Sequence, residues 1–348
     1  MRSLSRQTIE RREHELLAPE AAFSDESRGR ARPEEEDELR PCFQRDRDRI
    51  LHSKSFRRLA NKTQVFLAPE GDHYRTRLTH TLEVSQIARS ISRSLGLNED
   101  LTDAIALGHD LGHTPFGHCG EEALAKAMAR YRGIDPNSRA AGELFRHNEQ
   151  GVRIVELLEK GGRGLNLTRE VVDGIRCHRG RRRAMTLEGR VVAVSDRIAY
   201  VNHDIDDAQR AGLLTEDMLP SGPCAVLGTS VSRRITTLVQ DVVRTSAATG
   251  DIVMSPEVCD AMMDLREFLF AHLYKHGEAK EQEPKAQALL SELFAHYVTH
   301  VDELPQEYRL HDEDHPERQV ADFISSMTDR YAIRVYSELR VPHAWGLR

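Results

Sequence analysis

Apolar residues recur at three- and four-residue intervals along most of the chain: Val84, Ile87, Ile91 and Leu95; Val231, Ile235, Leu238 and Val242; Met262, Leu265 and Leu269; Phe323, Ile324 and Met327. A period near 3.6 residues is the mark of helices that bury one face. Leu144, Ile154, Val155 and Leu158 extend the pattern. The run Val191–Ile198 is nearly unbroken in apolar character and resembles a buried strand, yet its continuation through Tyr200 and Asp204 predicts a longer helix. Convincing strands are scarce, and neither an internal repeat nor a linker divides the chain. The expectation is an all-α fold with one helical domain over residues 41–348. Residues 1–40 read as a charged, partly flexible N-terminal arm, with a helix followed by the acidic stretch Glu34-Glu35-Glu36-Asp37-Glu38.

Composition narrows the function. The 348 residues are 39% hydrophobic, enough for a large core, and no apolar run approaches the roughly 20 residues a membrane span requires. Arg2, Arg6, Arg11 and Arg12, followed by Glu13 and Glu15, interrupt any secretory-type apolar segment. Five scattered cysteines without metal-type pairing fit a reducing cytoplasm. A net charge of −7 argues against nucleic-acid binding as a whole-chain role. One local exception is the basic segment 176–183, Arg176-Cys177-His178-Arg179-Gly180-Arg181-Arg182-Arg183. It reads as a solvated loop, an oligomer contact, or a contact for nucleic acid or an effector nucleotide, and no catalytic role is assigned to it.

Candidate chemistry lies on three helical segments. His80 falls on the same side as the Val84–Leu95 stripe and points inward. His109 and Asp110 close a helical run that Gly112 and Pro115 end. Neighbours on a regular helix diverge by about 100°, so this pair can face one ion only where the helix finishes. Asp196 is an isolated carboxylate in an apolar helix and needs a partner if buried. Taken singly, each has an ordinary reading as a hydrogen-bonded core or surface residue. Together, two imidazoles and two carboxylates suit one divalent metal: Mn, Fe, Co, Ni or Zn, with Mg less natural.

In the order His, His-Asp, Asp, the chain resembles the HD phosphohydrolase superfamily. Its longer words resemble the deoxyguanosine triphosphate triphosphohydrolase branch: Phe43-Gln44-Arg45-Asp46-Arg47-Asp48-Arg49-Ile50, Ser55-Phe56-Arg57-Arg58-Leu59, Lys62-Thr63-Gln64-Val65-Phe66, His109-Asp110-Leu111-Gly112-His113-Thr114-Pro115-Phe116-Gly117-His118 and Met327-Thr328-Asp329-Arg330-Tyr331. The resemblance implies an HD-domain helical bundle with additional C-terminal helices. It also implies hydrolysis of a deoxynucleoside triphosphate (dNTP) to deoxynucleoside and inorganic triphosphate, commonly by a homo-oligomer. Alternatives are a broader HD phosphomonoesterase or phosphodiesterase, and a non-catalytic dNTP sensor.

Roles follow residue by residue. His118 and Glu121, three apart at a helix start, can approach each other; they resemble the family's catalytic pair, with His118 as general acid to the leaving oxygen. His113 resembles a histidine that meets a phosphate, or else supports the metal loop. Arg77, one turn before His80, and Arg197, next to Asp196, are phosphate-binding candidates from sequence position. Arg57 enters only through the family words. Asp196, Tyr200 and Asp204 recur every four residues and share a helix face. The resemblance gives Tyr200 to the deoxyribose, and Asp204 with Gln64 to its 3′ hydroxyl. Glu149 stands where many relatives have a small residue, a carboxylate tolerable near phosphate only if it turns away or meets an arginine.

Overall fold

A computed structural model describes residues 4–64, 75–210, 212–272 and 278–342; Val65 and Phe66 of the words quoted above lie outside them. Those residues are overwhelmingly helical, with two isolated bridges, Arg30 with Thr168 and Thr63 with Thr76, in place of a sheet. In chain order the helices are α1 (Arg6–Leu16), α2 (Cys42–Leu51), α3 (Lys54–Arg58), α4 (Arg77–Ser94), α5 (Glu99–Gly108), α6 (Gly117–Tyr131), α7 (Arg139–Gly142), α8 (His147–Arg153) and the short α9 (Glu159–Gly162). They continue as α10 (Arg169–Cys177), α11 (Leu187–Arg210), α12 (Ser221–Leu227), α13 (Val231–Thr249), α14 (Pro256–His272), α15 (Glu278–Thr299), α16 (Pro316–Ser326) and α17 (Asp329–Arg340). The run from Val191 through Asp204 is helical, as its length predicts.

Two apolar clusters organise these helices. The larger joins Phe43 and Ile50 of α2, Val84, Ile87 and Ile91 of α4, Leu101 and Ile105 of α5, and Val191, Val192 and Ile198 of α11, and extends into α13 and α14. The smaller packs Leu124 and Met128 of α6 against Leu290 and Phe294 of α15 and Val320 and Ile324 of α16. Local signals set the helix starts. Thr76 and Thr79 form a reciprocal capping box at α4, and the Asn98 side chain accepts backbone N–H bonds from Asp100 and Leu101 at α5.

The first 40 residues carry α1 and fasten to the helical body. Glu188 of α11 accepts the backbone N–H groups of Ala22 and Asn98, each at 3.0 Å, and Glu170 of α10 accepts that of Arg28 at 2.7 Å. Arg30 pairs with the buried Asp46, whose other oxygen accepts Thr168 N–H at 2.7 Å. Glu34, from the acidic stretch, meets Arg30 at 2.9 Å and Arg49 at 2.6 Å. Arg45, Asp46, Asp48 and Arg49 of the Phe43–Ile50 word thus hold the N-terminal segment, while Arg47 pairs with Asp100 of α5 at 2.7 Å.

C-terminal helices support the loops that will matter chemically. Asp329, at the start of α17, accepts the N–H of Phe116 through one oxygen and the N–H of Thr63 through the other, each at 3.0 Å. Lys62 reaches across to the carbonyls of His113 and Ser325. Between α5 and α6 the chain turns sharply, with Phe116 in the left-handed region at φ 62°. Gly112 allows the α8 backbone to come against this turn: a Cβ there would stand 2.0 Å from the carbonyl oxygen of His147 and 2.2 Å from the nitrogen of Gly151. Both are backbone atoms, so the clash cannot be relieved by a rotamer. Gly112→Ala is expected to cost at least about 1–3 kcal/mol. Gly222→Ala in α12, where nothing stands within 4 Å, should be neutral or stabilising by under about 1 kcal/mol. Urea unfolding midpoints check this; equal midpoints for the two variants would refute the close-approach account.

Candidate metal centre

Helix α5 stops at Gly108, and His109 and Asp110 lie in the turn that follows; His109 keeps helical dihedrals (φ −61°, ψ −38°), and its Nε2 comes within 3.5 Å of Asp110 Oδ1. His109 is fully buried, and its Nδ1 donates to the carbonyl of Ala106 at 2.6 Å. That bond fixes the tautomer and leaves Nε2 as a lone pair, which has no hydrogen-bond partner among the described residues despite being buried. The ligand atoms of His80, His109 and Asp110 lie within 4.8 Å of one another. The Asp196 carboxylate completes the group, 3.1 Å from His80 Nε2 and 3.8 Å from His109 Nε2. An unpartnered buried nitrogen facing a second imidazole and two carboxylates fits a divalent transition-metal ion, which takes such donors at about 2.0–2.2 Å.

Charge is concentrated around Asp110. Burial alone would raise its carboxyl, but His109, His113 and Arg77 outweigh burial and hold it well below the ordinary range. Arg77, buried at the start of α4, donates to Asp110 Oδ2 at 2.9 Å, and His113 Nε2 lies 3.2 Å from Oδ1. Asp196 behaves alike: burial acts upward, and the His80 hydrogen bond with the His109 charge brings it below the usual carboxylate range. His113 is pushed well down by burial, Arg77 and His147.

Three further histidines enter the centre that sequence reasoning left out. His147, at the start of α8, stacks on His113 with ring centroids 3.8 Å apart. His178, just past the end of α10, lies 5.1 Å centroid to centroid from His109. His203 on α11 sets its Nδ1 3.3 Å from that of His80. Seven residues after Asp196 on a long helix, His203 had a spacing signal; His147 and His178 arrive by tertiary packing alone.

Glu121 sits closer to His147 than to its expected partner. Its Oε2 accepts from His147 Nδ1 at 2.9 Å and from Arg179 at 3.2 Å, whereas His118 Nδ1 is 3.6 Å away. The pairing is therefore a cluster of His118, Glu121 and His147. The His118 side chain keeps 53% of its surface, so solvent limits the effect of burial on it. Burial and then the Arg179 charge act downward on its pKa. A bound polyanion facing Arg179 reverses that charge effect.

One cavity of about 690 Å³ gathers this chemistry, within the usual range for a small-molecule site. Gln64, Arg77, His80, Asp110, His113, His118, Asp196, Arg197 and Tyr200 line it. Two predicted substrate contacts do not. Arg57 is exposed and donates to the carbonyl of His52, because α3 buries its Ser55 and Phe56 side and turns Arg57 to solvent. Asp204, one turn beyond Tyr200, is buried where α11 has passed into the core with Ile205 and Ala208. The basic segment, assigned no part in the site from sequence, supplies His178 and Arg179 through Arg183 to the same cavity wall. Glu149 is neutralised locally by Arg176 at 3.4 Å and Arg182 at 3.6 Å.

Comparison with known proteins agrees with this geometry. Residues 77–201 match the HD domain and residues 252–338 match the phosphohydrolase-associated domain. The chain is 53% identical over 341 residues to a deoxyguanosinetriphosphate triphosphohydrolase-like protein of Caldanaerobacter subterraneus subsp. tengcongensis, covering 98% of this chain and 97% of that one. Like-named proteins of Clostridium perfringens strain 13 and of Ruegeria sp. strain TM1040 are 48% and 38% identical, covering 97% and 93% of this chain and 98% and 99% of theirs. The chain belongs to the deoxyguanosinetriphosphate triphosphohydrolase-like family of HD-domain proteins. It is a phosphohydrolase by that membership. The HD match contains all four expected metal ligands with His118, Glu121, His147 and His178, and the associated-domain match contains Asp329 and Ser325, which grip the Lys62–Thr63 segment and the turn at Phe116. No helix among the described residues is long and apolar enough to cross a membrane.

Lys62 provides a pH test of that grip. Burial, then the nearby Arg58 charge, lowers its ammonium from 10.5 to about 7. Between those values the unfolded chain holds a proton that the folded protein lacks, so folding stability is full above 10.5 and is lost as pH falls towards 7. The difference in unfolding free energy between wild type and Lys62→Met should therefore slope with pH by up to about 1.4 kcal/mol per unit across that window. Parallel curves in urea titrations at several pH values would show that Lys62 titrates normally.

Proposed function

We propose that this protein is a metal-dependent deoxynucleoside triphosphate triphosphohydrolase, cleaving dGTP or a related dNTP to the deoxynucleoside and inorganic triphosphate. The observation that carries the reading is one cavity in which the His80, His109, Asp110 and Asp196 centre, His118 and a set of arginines converge. His80, His109, Asp110 and Asp196 would hold one divalent ion, with Mn, Mg, Fe, Co, Ni or Zn as candidates. When bound, such an ion neutralises phosphate charge and lowers the pKa of water.

The chain's own groups supply the rest. Water attacks the α-phosphorus, the bond from phosphorus to the 5′ oxygen breaks, and the departing oxygen takes a proton from His118. Glu121, an anion beside His118, His147 and Arg179, orients the imidazole and stabilises its protonated form. Arg77 and His113 meet the α-phosphate side, while Arg197 and the Arg179–Arg183 segment face the remaining phosphates with guanidinium forks suited to paired oxygens. Tyr200 and Gln64 take the deoxyribose, Tyr200 by packing where a 2′ hydroxyl would otherwise sit. Among the described residues Gln64 Oε1 is buried without a hydrogen-bond partner, which favours a ligand hydroxyl there. A cytoplasmic homo-oligomer completes the reading.

Purified protein incubated with each dNTP and with GTP, in Mn or Mg, tests it by product separation. The expected products are deoxynucleoside and triphosphate, with GTP cleaved poorly and activity abolished by a chelator. His118→Ala should lower kcat by about 10²- to 10⁴-fold. Release of orthophosphate, opening of a diester, or binding without turnover would replace this reading with the phosphomonoesterase, phosphodiesterase or sensor alternative.

A further inference from the structure

Glu149 and Asp251 stand outside the residues that line the cavity, yet each holds arginines that do line it. Glu149 of α8 lies 3.6 Å from Arg182, and its other oxygen is 3.4 Å from Arg176. Asp251, between α13 and α14, pairs with Arg183 through Oδ2 and with Arg190 of α11 through Oδ1, the latter at 3.1 Å. Arg182, Arg183 and Arg190 face the cavity, as do Arg181 and Arg197, which make no ion pair among the described residues. The basic wall is thus divided into arginines held from behind by a carboxylate and arginines that are not.

We propose that Glu149 and Asp251 compete with the ligand's phosphates for these arginines and so speed the departure of inorganic triphosphate. The inference rests on the triphosphohydrolase reading above and carries it from the bond cleaved to the release of the product. Cleavage at the 5′ oxygen leaves all three phosphates in one product, so every contact between a terminal phosphate and the wall survives the reaction. The α-phosphate also gains a terminal oxygen and, with it, negative charge. Contacts shared by substrate and product do not speed the chemical step, and they delay release. Unopposed guanidinium groups, each able to fork onto two phosphate oxygens, would hold the product in place. Carboxylates behind the wall offset part of that grip.

The two carboxylates are built differently. Glu149 meets its arginines at separations longer than the about 2.7–2.9 Å of a charge-assisted hydrogen bond. The side chains of Glu149 and Arg182 keep 42% and 70% of their surface, so the pair is loose and screened by water. A phosphate displaces it readily, and it re-forms when the phosphate leaves. Asp251 is a fixed post: its Oδ1 also accepts the backbone N–H of Ile252 at 2.8 Å, and it draws Arg183 and Arg190 to one point. Glu121 holds Arg179 in a similar way at 3.2 Å, but it also meets His147 and His118, so its substitution would disturb more than the arginine.

Titration calorimetry with inorganic triphosphate, on the full chain in excess Mg, tests the proposal. Glu149→Gln and Asp251→Asn, with circular dichroism matching wild type, should each bind triphosphate about two- to fivefold more tightly, the scale of partly exposed ion pairs. In an Arg182→Gln background, Glu149→Gln should change nothing, because the arginine through which it acts is gone. With dGTP as substrate, Glu149→Gln should lower KM without lowering kcat/KM, whereas a structural lesion lowers kcat/KM. Unchanged or weaker triphosphate binding in either variant, tightening that persists without Arg182, or a fall in kcat/KM overturns the proposal. Failure of the triphosphohydrolase reading itself would appear in the product assay, as orthophosphate or an opened diester, whatever the calorimetry shows.

Discussion

A buried carboxylate encircled by nitrogen donors is the constraint on which this molecule turns. Asp110 is removed from water and faces His109, His113 and Arg77. A lone buried carboxylate would cost several kcal/mol in desolvation; here the surrounding positive and polar groups offset that cost and hold it ionised. The same surroundings explain why the neighbouring nitrogens are arranged as lone pairs. Burial and the charges of His109 and His147 lower His178 to about 3, whereas for His80 burial acts downward but the Asp196 hydrogen bond and the charges of Asp110 and Asp196 carry the imidazole above its ordinary value.

Helix ends provide most of the geometry. His109 and His178 each emerge just past a helix terminus, and His147 opens α8, so backbone carbonyls and turns rather than long side-chain excursions set their directions. Gly112 lets the α8 backbone approach the turn after α5, which is what carries His147 to His113. The C-terminal helices act at a distance. Through Asp329 and Lys62 they tie the Thr63 segment to the turn at Phe116, so the cavity wall at Thr63 and Gln64 and the wall at His113 and Phe116 share one support.

Much of this was legible in the sequence, and the limits have physical reasons. The 3.6-residue period gives the helices because every helix that carries the site also buries an apolar face. His80, His109, Asp110 and Asp196 are brought together as their positions on helix faces and at a helix end suggest. His147 and His178 were not placed in the site, because no local spacing relates helices whose approach depends on a glycine contact elsewhere. Charge proved a poor guide to direction. Arg57 turns outward from a five-residue helix, whereas the basic segment after α10, indistinguishable by composition from a solvated loop, faces the cavity. Likewise, the composition of residues 1–40 does not reveal what they fasten to: Arg30 pairs with Asp46 of the adjoining α2, and the backbone N–H groups of Arg28 and Ala22 donate to Glu170 of α10 and Glu188 of α11, far along the chain.

The most direct test of the central claim, water attack at the α-phosphorus in a metal-centred cavity, is the fate of solvent oxygen. Hydrolysis of dGTP in ¹⁸O-labelled water, followed by mass spectrometry, should place one solvent oxygen in the released triphosphate and none in deoxyguanosine. Label in orthophosphate, or in the 5′ hydroxyl of the nucleoside, would mean that a different bond is broken and would contradict the account.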